Sequence, residues 1–145
     1  MEFNKLIPEL YVSNLEDSLK FYIDTVGFKV EYGRPENKFV FLSLNGAQIM
    51  LQELDESDKK GSVWFTGELE RPFGKGMHFQ IEVKDADIVA DALRKAGYGI
   101  RQDNEDLWYR EGERLVGMRG VLVQDPDGYM FLFNHALGYK SLPDA

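Results

Sequence analysis

The sequence predicts an α+β fold built from two paired βαβββ modules, and three observations lead there. The first is an internal repeat. The stretch Pro8-Glu-Leu-Tyr-Val-Ser-Asn14, followed by a helix-like run to Gly27-Phe28, returns as Phe79-Gln-Ile-Glu-Val-Lys-Asp85 running on to Gly97-Tyr98. Aligning Val12 with Val83 sets a spacing of 71 residues, which also places Asn14 on Asp85 and Ile7 on His78. The second observation is that each copy continues into strand-like segments carrying a tight turn, Asn45-Gly46 in the first and Asp125-Pro-Asp-Gly128 in the second. The third is that a strand, a helix and then several strands leave one sheet face of each module uncovered. Function is expected on those uncovered faces.

Taken in order, residues 6–12 read as the first strand. Asn14 can cap a helix whose apolar Leu15, Leu19, Tyr22 and Val26 share one stripe, and Gly27 suits its left-handed stop. Strands are predicted at 28–32, 38–44 and 47–53. The last two are joined by Asn45-Gly46, whose residues tolerate the positive φ of a two-residue hairpin turn. Module 1 thus spans about 5–54, and residues 55–76 form a connector. The connector is first charged (Asp55, Glu56, Asp58, Lys59, Lys60), then carries Trp64 and Phe65, then Arg71-Pro-Phe-Gly-Lys-Gly76. A connector this long points to function, and Trp64 is expected to line the site.

Module 2, about 77–137, opens with a strand at 77–83. Asp85 caps a helix expected to bury Ile88, Val89, Ala92, Leu93 and Ala96. Gly97 ends that helix as Gly27 ends the first. Strands follow around 99–101, 108–110, 119–124 and 129–134, with a polar loop near 111–113 and a peripheral tail after His135.

Composition narrows the classes of function. A chain of 145 residues fits one domain spanning 1–145, and 43% apolar content with ten Phe and seven Tyr supplies a core. No apolar run approaches the ~18–20 residues of a membrane span, and the basic-then-apolar pattern of a leader is absent, so a cytoplasmic chain without a membrane partner is expected. The lack of cysteine removes disulfides, thiolate catalysis and thiolate metal sites together. A net charge of −8 argues against nucleic acid as a partner and is compatible with a cationic or neutral small molecule.

Three segments, Val12-Ser-Asn-Leu-Glu-Asp-Ser-Leu-Lys-Phe-Tyr22, Val26-Gly-Phe28 and Val121-Leu-Val-Gln-Asp-Pro-Asp-Gly-Tyr129, resemble the vicinal oxygen chelate superfamily, the group of glyoxalases, extradiol dioxygenases and bleomycin resistance proteins. The resemblance implies two paired βαβββ modules, each a curved sheet, forming an open cleft, usually in a homodimer. It also implies four positions where the metal enzymes of the group place ligands, and here these fall on Ile7, Met50, His78 and Leu132. Only His78 offers a nitrogen donor, whereas a catalytic metal site needs about three ligands of the His, Asp or Glu kind. Neither a metal nor another cofactor is therefore expected, and no residue is assigned a catalytic role.

With those positions assigned to the cleft, strand alternation assigns the rest. The first strand turns Glu9 and Tyr11 into the cleft, and the fifth turns His78 and Gln80 there. Met50, Gln52 and Leu132 come from the last strands of the modules. Pairing across the Asn45-Gly46 turn sets Phe41 opposite Met50 and Phe39 opposite Gln52, and Arg119 is expected to add one positive group. The resemblance is nearest to the metal-free bleomycin resistance proteins, partly through Pro8 early in the first strand. It implies sequestration of a cationic, aromatic ligand such as bleomycin, with stacking roles for Phe39, Trp64 and Trp108 and carboxylates answering the cation. Two alternatives stay open: a lyase or dioxygenase of the glyoxalase type, and a metabolite-binding sensor module.

Overall fold

The computed structural model describes residues 1–55, 57–58 and 61–144; Glu56, Lys59 and Lys60, read above as part of the charged connector, and Ala145 lie outside the described residues. The chain forms two compact units, Met1–Met77 with Asp125–Tyr129, and His78–Gln124 with Met130–Ala145. Each carries a βαβββ order and one four-stranded sheet. No helix among the described residues is long and apolar enough to cross a membrane.

In the first unit, β1 (Glu9–Val12) leads into α1 (Leu15–Leu19), followed by β2 (Lys29–Arg34), β3 (Phe39–Leu44) and β4 (Ala47–Glu53). The sheet order is β1-β4-β3-β2, with β1 parallel to β4 and the other pairs antiparallel. The Asn14 side chain accepts from Asp17 N at 3.0 Å, and Glu53 Oε2 accepts from Leu15 N at 2.9 Å, so two orphan amides of the first turn are satisfied. The helix then widens into a π-type turn over Lys20–Val26, where Gly27 N and Phe28 N both donate to Tyr22 O. Widening moves the buried stripe. Ser18, Phe21, Tyr22 and Val26 are buried, while Leu15 and Leu19 are only half-buried, in place of the stripe the 3.6-residue period predicts.

The β3–β4 register is the one a two-residue turn dictates, with Phe41 opposite Met50 and Phe39 opposite Gln52. Val40, Leu42, Ile49 and Leu51 bury one face with Leu10 and Val12. The other face holds Glu9, Tyr11, Phe39, Phe41, Met50 and Gln52. A bulge in β2 between Val30 and Tyr32 brings Tyr32 opposite Phe41, and the two rings stack at 5.2 Å between centroids.

The N-terminal residues lie across that second face. Phe3 packs edge-on against Phe41 at 5.5 Å. Asn4 N donates to Gln48 Oε1 and Gln48 Nε2 donates to Glu2 O, at 2.8 and 2.7 Å. The guanidinium of Arg34 sits 3.9 Å over the Phe39 ring. Phe41 is consequently 0% exposed and Phe39 3%, which corrects the expectation that these rings stack on a ligand: their faces are already taken.

Residues Asp125–Tyr129 belong to this unit through a buried polar network. Tyr22 OH donates to Asp125 Oδ2 at 2.6 Å, and Asp125 Oδ1 accepts from Asp127 N and Tyr129 N. Asp127, 1% exposed, accepts from Ser13 N, Ser13 Oγ and Arg71. Gly128 adopts φ +102, and a Cβ there would collide with Pro72, so both backbone and space demand glycine.

In the second unit, β5 (His78–Glu82), α2 (Ala86–Lys95), β6 (Ile100–Glu111), β7 (Arg114–Gln124) and β8 (Met130–Ser141) give the sheet order β5-β8-β7-β6. Asp85 caps α2 by accepting from Asp87 N at 2.9 Å, and His135 Nδ1 accepts from Ala86 N at 2.9 Å. His135 therefore serves the helix start, and the segment after it is no peripheral tail but the second half of β8. The helix buries Ala86, Val89, Ala90 and Leu93 in a core with Val121, Val123, Phe131 and Phe133; Ile88, expected inside, is 67% exposed. The two short strands expected near 99–101 and 108–110 are one long, bulged β6.

Two outcomes test this packing. Phe41→Ala should cost about 3–5 kcal/mol in urea unfolding, as a fully buried aromatic does; a loss below about 1 kcal/mol would mean the ring is not in the core. Burial pushes the Asp125 carboxyl up to about 6, against the opposing effect of its hydrogen bonds. Its protonated form is therefore favoured in the folded state, a contribution fully present below the ordinary carboxylate range and lost as pH rises through about 6. Asp125→Asn keeps an acceptor for the amides and cannot ionise. Its melting temperature should rise relative to the wild type between pH 4 and pH 7, and a difference that stays constant over that range would contradict the assignment.

Candidate functional site

The connector that follows β4 builds the main concavities of the first unit. Asp55 opens it with a self-capped turn, its carboxylate accepting from Ser57 N and Asp58 N at 2.8 and 3.1 Å, while Asp58 Oδ2 accepts from Asp55 N at 2.9 Å. A second turn at Ser62, with Phe65 N donating to Ser62 O, presents Trp64 outward and turns Phe65 against Tyr11, edge-on at 4.6 Å. Trp64 is 74% exposed.

A polar cavity of 680 Å³ lies between this turn and the β2–β3 connection, within the size range of ligand sites, about 300–1,000 Å³. Tyr11, Trp64 and Gln52 line it together with Glu36, Asp55 and Asp58. Glu36 is delivered by the Pro35–Asn37 turn, and the left-handed φ of 51° at Lys38 ends that turn. Gln52 Nε2 is held by Asn37 O at 2.6 Å. Lys38 is tied to Glu53 at 2.8 Å, whereas Glu36, Asp55 and Asp58 form no ion pair among the described residues. The pocket is thus an aromatic pair within a negative field. Tyr11 registers that field: burial first, then Glu9, Asp58 and Asp55, raise its phenol above the usual value. Hydrogen bonds from Ser57 and from the Asp58 amide hold the Asp55 carboxyl below the usual range, so it is ionised at neutral pH.

The second unit offers a smaller concavity of 360 Å³ on the sheet face opposite α2, lined by His78, Gln80, Leu132, Glu82, Tyr109 and Met118 among others. His78 and Gln80 are exposed there, and Gln80 Nε2 points at Met118 Sδ at 3.4 Å. The group can hydrogen-bond a polar ligand.

Of the residues read from sequence, Tyr11, Gln52 and Trp64 meet in the first unit's cavity, and His78, Gln80 and Leu132 meet in the second unit's. Glu9 is exposed on β1 and Met50 half-buried on β4, outside either lining. Two assignments are corrected. Arg119 shares the face of Val121 and Val123, the core side, and its guanidinium is held by Asp106 at 2.6 Å and by Asp87 of α2 at 3.0 Å. Trp108 is paired with Gly117 on that same face, and Lys140 Nζ sits 3.8 Å over its ring, so it does not line the His78 concavity. Glu36 and the apolar connector residue Leu69 went unremarked in the sequence, and Phe73 entered only as part of the Arg71–Gly76 run. The spacing of Phe65, Leu69 and Phe73 at every fourth position in a polar stretch was a readable signal.

The donor set does not suit a catalytic metal. Ile7, Met50, His78 and Leu132 supply one imidazole and one weak thioether, and among the described residues no three His, Asp or Glu side chains come together as a metal-holding group.

The family model described as Glyoxalase/Bleomycin resistance protein/Dioxygenase superfamily matches residues 6–133. A solved member of that superfamily from Vibrio splendidus 12B01 is 31% identical over 89% of this chain and 95% of its own, with a TM-score of 0.41. A glyoxalase/bleomycin resistance protein/dioxygenase from Alicyclobacillus acidocaldarius is similar in fold, with a TM-score of 0.60 at 17% identity over 92% of each chain. So is a hypothetical protein from S. aureus, with 0.66 at 21% identity over 93% of this chain and 95% of that one. No curated protein matches the chain. With residues 6–133 matched by the family model, most of its length, the chain belongs to the glyoxalase/bleomycin resistance protein/dioxygenase superfamily.

Proposed function

We propose that this chain is a metal-free small-molecule binding protein of the bleomycin-resistance type, which sequesters a cationic, aromatic ligand such as bleomycin without a covalent step. The observation that carries the reading is the first unit's polar cavity. It sets Tyr11 and Trp64 beside three carboxylates that no lysine or arginine neutralises among the described residues. A cation entering there exchanges part of its hydration for ring quadrupoles and fixed negative charge, and a planar group can stack on the exposed Trp64. The net charge of −8 attracts cations at long range and repels nucleic acid, so the protein competes with DNA for such a drug rather than joining it. The reading carries with it a homodimer in the cytoplasm, where such a drug must be intercepted.

Calorimetric titration of metal-stripped protein with metal-free bleomycin, with elemental analysis of the same sample, tests this. One ligand per subunit is expected, with affinity falling about tenfold in Trp64→Ala and falling with added salt. Absence of heat at any accessible concentration, or identical binding by Trp64→Ala, would contradict the reading. Stoichiometric metal in the purified protein, lost in His78→Ala, would favour the enzyme alternative instead.

A further inference from the structure

The first unit holds a second cavity, larger at 820 Å³, which the preceding reading leaves unused. Its apolar wall is formed by Leu54, Phe65, Leu69 and Phe73. Two residues, Leu54 and Asp58, line both this cavity and the polar one. A third link is Phe65, which packs edge-on against Tyr11 of the polar cavity at 4.6 Å. The two spaces therefore adjoin across a common rim, one side aromatic and acidic, the other aliphatic and aromatic.

The charges decide what can span them. Arg71, the cation on the apolar side among the described residues, is already engaged: it donates to Pro126 O at 3.0 Å, to Ser13 Oγ, and to the buried Asp127 at 2.7 Å. Glu68 and Asp58, which also line that cavity, form no ion pair among the described residues. On the polar side Lys38 is engaged by Glu53. Among the described residues neither space offers an uncommitted cation to an anionic ligand, and the described wall of the larger one is mainly hydrocarbon.

The geometry points to an amphipathic cation as the ligand class: an ammonium or comparable head between Tyr11 and Trp64, and a hydrocarbon tail laid over the Leu54 rim into the Leu54, Phe65, Leu69 and Phe73 cavity. This rests on the reading that the polar cavity is a ligand site, and it adds the second compartment and the tail. A ligand of this kind gains affinity from each methylene that leaves water, whereas a compact cation gains only the head contacts.

The test is a calorimetric series on the full chain with tetramethylammonium, hexyltrimethylammonium and decyltrimethylammonium below its micelle concentration, with decanoate as the anionic counterpart. Affinity should rise at least twofold per added methylene, up to about fourfold for complete burial. Decanoate should bind at least tenfold more weakly than the decyl ammonium. Leu69 is 38% exposed, so Leu69→Asp should fold, checked by circular dichroism, and should abolish the chain-length gain while leaving tetramethylammonium binding intact. Leu69→Ala should give an intermediate loss. Tetramethylammonium binding without any gain on lengthening the chain would overturn the second compartment and leave the polar site standing. Decanoate binding as tightly as the decyl ammonium would overturn the ligand class, and failure of the whole series to bind would overturn both readings together.

Discussion

The buried carboxylate of Asp127 is the constraint on which the first unit depends. A carboxylate at 1% exposure is costly unless each of its oxygens is answered. Here the answers to the carboxylate come from two separate parts of the chain, and the backbone carbonyl of the same residue is held as well. Ser13, just after β1, gives both its amide and its hydroxyl; Arg71, near the end of the connector, gives its guanidinium; and Phe73 N donates to the Asp127 carbonyl at 2.9 Å. Gly128 lets Pro72 close against the turn. One charge thus ties the far end of a long connector to the end of the first strand.

That tie shapes the cavities. Residues 71–73 are anchored at one end of the connector, and Asp55 is capped against Ser57 and Asp58 at the other. Between these ends Trp64 joins Tyr11 in the lining of the polar cavity, and Phe65 and Leu69 join Leu54 in that of the apolar one. Glu53 stands where these parts join: it caps α1 through Leu15 N and pairs with Lys38, which lines the same cavity as Glu36, Asp55 and Asp58. The ligand-facing character of the site, aromatic rings in a negative field, follows from interactions that also hold the fold.

The repeat, the capped helix starts and the Asn45-Gly46 hairpin were legible because each depends on local chemistry, namely periodicity, a short polar cap and a turn needing positive φ. Strand alternation then placed Tyr11, Gln52, His78 and Gln80 on open faces. It failed where a second layer intervened. Phe39 and Phe41 lie on the anticipated face, but Phe3, Tyr32 and Arg34 cover them, and neither the N-terminal segment nor the β2 bulge leaves a periodic trace. Arg119 shares the parity of Val121 and Val123, which is the core side, and Trp108, to which only the resemblance gave a stacking role, pairs with Gly117 on that same face. The π-type turn at Lys20–Val26 moved Phe21 inward, a shift that a 3.6-residue template cannot register. Polar β6 lacked an apolar alternation long enough to show that it runs from Ile100 to Glu111.

The central claim is that the ligand is received by the cavity the connector builds in the first unit. A ¹⁵N-edited NMR titration of the full chain with metal-free bleomycin tests it most directly. The account predicts that the shifted amides concentrate at Tyr11, Glu36, Lys38, Gln52, Asp55, Asp58 and Trp64. Shifts concentrated instead at His78, Gln80, Tyr109, Met118 and Leu132, with the connector unmoved, would contradict it.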